Sequence, residues 1–79
     1  MTKQEFLQIL NEGYSEGMLV ETVETVESAG ETHRVFGTYD FADIQSLSDF
    51  FSLNYSDEMV RQGHGTRVIS FEFRQRDAG

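Results

Sequence analysis

Phe6, Leu7, Ile9 and Leu10 recur at helical spacing near the start of the chain, with Lys3, Gln4, Gln8 and Glu12 between and around them. Thr2 and Glu5 fit the S/T-x-x-E capping box, and Asn11 and Gly13 supply a stop, so the pattern predicts a helix over Thr2–Asn11. Met18–Ser28 reads MLVETVETVES, with Val20, Val23 and Val26 in a period of three that neither regular element has. Its dense β-branched content predicts a strand, with a bulge between Glu21 and Glu24 gathering the apolar residues on one face. A helix over residues 18–28 is the alternative reading.

Ser28-Ala29-Gly30-Glu31 predicts a tight turn, and Thr32–Phe41 the second strand of a hairpin, with His33, Val35, Tyr39 and Phe41 on one face and Phe36 on the other. Asp40 or Asp43 is placed to cap a helix through Leu53, whose buried stripe is Ile44, Leu47, Phe50 and Phe51. Ser56-Asp57-Glu58 is read as the start of a short further helix, ending at Arg61 and Gly63. Thr66–Arg74 alternates, predicting a strand with Ile69, Phe71 and Phe73 inward and Val68, Ser70, Glu72 and Arg74 outward. Asp77-Ala78-Gly79 is expected to fray.

The resulting order is α-β-β-α-α-β: an α+β fold, with a three-stranded antiparallel sheet and helices packed on one face. At 79 residues the chain makes one domain, residues 1–79. A sheet of this size leaves two edges and one face uncovered, which allows a homodimer.

Charge changes the picture more than composition does. Seven Phe and three Tyr suit a folded core rather than an acidic tail. Against that, 14 Asp and Glu face 6 Lys and Arg, a net charge of −8. The acidity is heaviest over Met1–Glu31 and gives way to a mildly basic end after Arg61. Such a balance argues against direct nucleic-acid binding, which depends on Lys and Arg neutralising phosphates. With no Cys, disulfides and Cys-based zinc sites are excluded. No apolar run is long enough for a bilayer, and Met1–Glu5 has no signal-peptide character, so a cytoplasmic protein without membrane attachment is expected.

Catalytic and cofactor patterns are not found. His33 and His64 are far apart in sequence and lack the i,i+2 or i,i+4 partner of a metal site. Gly63-His64-Gly65-Thr66-Arg67 is followed by a strand and contains no Lys, so it reads as a turn rather than a phosphate loop. Arg67, Arg74 and Arg76 beside Phe71 and Phe73 suggest an RNA-binding sheet, but both Phe residues share the core face. The expectation is a non-enzyme without cofactor or metal.

What stands above background is a set of carboxylates, Glu21, Glu24, Glu27, Glu31, Asp40, Asp43, Asp57 and Glu58, taken as candidate partner-binding residues. Carboxylates on one strand face repeat at roughly 6.6–6.8 Å, close to two phosphate steps of about 3.4 Å. They can therefore stand where a basic protein expects DNA. The competing reading is an ordinary solvated acidic surface.

In its size, its acidity, and the passage from Tyr39-Asp40-Phe41 into Ile44-Gln45-Ser46-Leu47-Ser48-Asp49-Phe50-Phe51, the chain resembles the small phage-encoded inhibitors grouped as anti-CRISPR proteins. The resemblance implies a viral, DNA-mimicking inhibitor that acts in the host cytoplasm by occupying a basic surface of a CRISPR effector complex. The alternative function is a structural or assembly subunit of a larger phage or mobile-element complex.

Overall fold

The computed structural model describes residues 1–76; the expected fraying of Asp77-Ala78-Gly79 lies outside the described residues. Helix α1 (Lys3–Gly13) is followed by strands β1 (Met18–Ser28) and β2 (Glu31–Tyr39), helix α2 (Ile44–Asn54) and strand β3 (Arg67–Gln75). The strands form one antiparallel sheet in the order β2-β1-β3, with both helices on one face: the expected α+β fold.

Local chemistry explains where the helices begin. At α1 the Thr2 hydroxyl accepts from the Glu5 amide and the Glu5 carboxylate accepts from the Thr2 amide, closing the capping box. Asp43, not Asp40, caps α2 by accepting from the Ser46 amide at 2.8 Å. The helices run antiparallel. Lys3 Nζ donates to the carbonyls of Ser52 and Tyr55 at 3.1 Å each, satisfying acceptors orphaned at the end of α2. Gly13 lets α1 end against the sheet, since a Cβ there would lie 2.6 Å from the Phe73 ring.

Phe6 and Leu10 of α1, Leu47 and Phe51 of α2, Val20, Tyr55, Met59 and Val68 form the core. Ile9, expected with the buried set, is exposed because Phe6 and Leu10, one turn apart, take the sheet-facing line of α1. The rings of Phe6, Phe51 and Phe71 stack in tilted contact, both centroid separations being 4.5 Å. The hairpin turns at Ala29-Gly30, both left-handed.

Three expectations need correction. Residues 56–66 do not form a helix. The segment SDEMVRQ offers no apolar stripe, and Met59 instead takes φ 64° and drops its side chain into the core. The chain is held there by bridges Tyr55–Arg61 and Val60–Arg67. Next, the bulge lies in β3, not β1: Val23 pairs with Ser70 and Glu24 with Val68, leaving Ile69 over. In consequence β3 changes parity there, so Val68 is 2 % exposed and Ile69 46 %, the reverse of the expected order. Finally, Asp40 and Phe41 fall beyond the end of β2.

Candidate functional site

Because β1 runs without a bulge, Val20, Thr22, Glu24 and Val26 all face the helices, paired with Tyr39, Gly37, Val35 and His33 of β2. Glu24 is therefore not a surface residue; it is 3 % exposed. Its carboxylate lies 2.7 Å from Thr22 Oγ1, 2.8 Å from Tyr39 Oη and 3.2 Å from Tyr55 Oη, and the phenol oxygens are 2.7 Å apart; with one proton each, one phenol donates to Glu24 while the other donates either to Glu24 or to its neighbour. A buried carboxylate persists only when its oxygens are satisfied in this way. Gly37 makes room for the group: a Cβ there would stand 2.7 Å from Thr22 Oγ1 and 3.0 Å from Glu24 Oε2.

Burial, together with the neighbouring phenol and the Glu24 charge, pushes the Tyr55 hydroxyl well above the ordinary tyrosine range. Tyr39 is raised mainly by burial, with Glu24 adding and the Tyr55 bond and Arg61 opposing. Unfolded, such phenols ionise near pH 10.0. A raised folded value means that their contribution is complete below about pH 10 and is lost as the pH rises further. Denaturation midpoints should hold up to about pH 10 and then fall, by up to ~1.4 kcal/mol per pH unit for Tyr55. Tyr55→Phe should flatten that decline, and an equally steep fall in the variant would refute the assignment.

The other candidate carboxylates do not make one surface. Glu21 lies on the sheet's outer face, 3.3 Å from Arg74 Nη1. Glu27 and Glu31 sit at the hairpin tip, Glu31 being 3.8 Å from His33 Nε2. Asp40 pairs with Arg76. Asp43 is held below the ordinary carboxylate range by the Ser46 amide, so it stays charged at its cap. Asp57 lies 3.8 Å from Lys3 Nζ, and Glu58 is exposed beside it.

Asp40, Asp43, Asp57 and Glu58 fall on the helix side, together with Asp49 and with Glu5, Glu12 and Glu16, which the sequence does not single out. Residues 1–16 and 40–58 carry these eight carboxylates against Lys3 alone, a formal −7 along the sequence, although Arg61, over the Phe50 ring of α2, and Arg76, paired with Asp40, reach the same side. Five acids and five arginines divide the rest of the described chain evenly. Two hollows open on the acidic side. One of about 380 Å³, between the end of α1 and the start of α2, includes Glu16 and Asp43; another of about 340 Å³, at the opposite end, includes Asp57 and Glu58. The signal that finds this segregation is the α-β-β-α order itself, which sorts the acids by layer rather than by position along the chain.

Among the described residues no three His, Cys, Asp or Glu side chains converge as a metal-ligand set, and no helix is long and apolar enough to cross a membrane. No family model, no curated protein and no solved structure matches the chain.

Proposed function

We propose that this protein is a non-enzymatic binding module whose acidic helix side covers a basic, nucleic-acid-binding surface on a partner and so inhibits it. The reading is supported above all by the concentration of acid on the helix side: eight carboxylates there against Lys3, Arg61 over the Phe50 ring and the Arg76 that pairs with Asp40. A surface of one sign on a small rigid body attracts a cationic groove, speeds encounter and competes with the polyanion that the groove serves. A CRISPR effector complex is the class of partner that the resemblance implies.

The test is release of DNA from purified CRISPR effector complexes, followed by band shift. The native chain should free the DNA at low salt and lose potency by about tenfold or more as salt is raised. Glu12→Lys, Glu16→Lys, Asp49→Lys and Glu58→Lys together should abolish release while far-UV circular dichroism stays native. These positions are exposed and outside the caps. Release by the quadruple variant at native potency, or no release from any complex by the native chain, would overturn the proposal.

A further inference from the structure

The sheet face turned away from the helices is uncovered, and its charges lie in rows. On this face Val23 of β1 stands between Phe36 of β2 and Ser70 of β3. Phe36, midway along the edge strand β2, is 75 % exposed. The row on one side places Glu21 directly opposite Glu72, and the row on the other sets Arg34 and Arg67 on either side of Thr25. Like charges directly opposite each other across strands destabilise the isolated sheet. Arg74 offsets one of the two, bonding Glu21 at 3.3 Å, while Glu72 stays exposed. Between the acidic and central rows lies a shallow hollow of about 420 Å³ that includes Glu21, Phe36 and Glu72.

We infer that this face binds a second copy of the chain, sheet against sheet, about a two-fold axis lying in the interface and crossing the strands along the Val23–Phe36–Ser70 row. Such an axis reverses strand direction and lays the glutamate row of one copy over the arginine row of the other. Glu72 then faces Arg67, Glu21 comes between Arg34 and Arg67, and the two Phe36 rings meet on the axis at the β2 edge. The same patch serves both copies, as an isologous interface requires. Twisted sheets stack at roughly 10 Å with their strands within about 30° of each other, which keeps the central rows facing. Turning the axis along the strands would instead set glutamate over glutamate.

Three strands of about nine residues offer a footprint of roughly 30 by 14 Å. That is small beside the ~800 Å² per partner of a standard interface, so the dimer is weak and depends on its charges. This face is opposite the acidic helix side, so the dimer stands whether or not that side binds a partner.

Sedimentation equilibrium at ~0.5 mM protein and ~50 mM salt should give a mean mass clearly above the 9.0 kDa of one chain, falling back toward it near ~1 M salt. Glu72→Arg sets arginine against arginine, and Arg67→Glu sets glutamate against glutamate. Each alone should weaken association by about tenfold or more. Mixed in equal amounts, the two variants should associate again, because each supplies the charge that the other lacks, and a misfolded variant cannot be rescued in this way. A native chain that stays at monomer mass, or a mixture no tighter than its components, would overturn the inference. So would a dimer indifferent to both substitutions, which would point to pairing along a strand edge instead.

Discussion

Phe51→Ala is expected to leave the protein without a cooperative fold at room temperature. Phe51 is fully buried, and its ring meets four others: Phe6 at 4.5 Å, Tyr39 at 4.9 Å, Tyr55 at 5.0 Å and Phe50 at 5.4 Å. It joins both helices to the sheet, so no single element can collapse into the space it would vacate. Truncating such a residue costs about 3–5 kcal/mol. A domain of this length rarely has more than ~3–5 kcal/mol in total. Near-UV circular dichroism and denaturant titration should show the loss of fixed aromatic packing. Leu53→Ala, on the exposed side of the same helix, should move the midpoint by no more than ~0.5 kcal/mol. A cooperative transition in Phe51→Ala at near-native denaturant concentration would contradict this account of the core.

The second large effect is expected from removing the two phenols that hold Glu24. Tyr55→Phe alone deletes one donor and leaves Tyr39 and Thr22 on the carboxylate, for a cost of about 1–3 kcal/mol. Tyr39→Phe alone leaves Tyr55 in reach of both carboxylate oxygens. In the double variant only Thr22 remains, and a buried charge stripped of its partners costs several kcal/mol. The double loss should therefore exceed the sum of the single losses, the mark of a shared network rather than of independent contacts. Chemical denaturation of the four proteins gives the cycle directly. Strict additivity would mean that Glu24 does not depend on the phenols as a pair.

The network also shows where sequence reading stops. The hairpin and both helix caps are each written in residues two to four positions apart, and the structure has them, whereas β3 keeps the expected alternation only from Ser70 onward. Glu24 is different, for its donors come from Tyr39 and Tyr55, on another strand and at the end of another element. Strand alternation alone sets Glu24 on the face of Val20 and Val26, opposite Glu21 and Glu27, but nothing in the repeat ETVET names the donors that let a carboxylate be buried there. The bulge in β3 is hidden from the sequence for a related reason. The period of three in β1 invites a local irregularity, whereas the extra residue is Ile69, inside the cleanly alternating RVISFEF, and only pairing with β1 exposes it. Likewise the turn through Met59 wins over a helix because of a core position that the segment cannot know about.

The candidate surface was half legible. Asp40, Asp43, Asp57 and Glu58 lie on the acidic side, while Glu21, Glu24, Glu27 and Glu31 belong to the sheet or its hairpin tip. Strand spacing was the wrong guide, because the helices and loops, not the strands, hold most of the unbalanced charge.

The sheet order carries a kinetic consequence. β1 meets β2 through a two-residue turn, but its other neighbour, β3, arrives from beyond α2, bringing Gln75 beside Met18. Closing so long a loop costs entropy before any ladder bond repays it, and such distant pairings slow the approach to the native state. Until β3 docks, β1 has one bare side, and Val20 lacks its Phe73 neighbour. Strand β3 is therefore the latch of this fold, and a nascent chain cannot close it until β3 itself has left the ribosome.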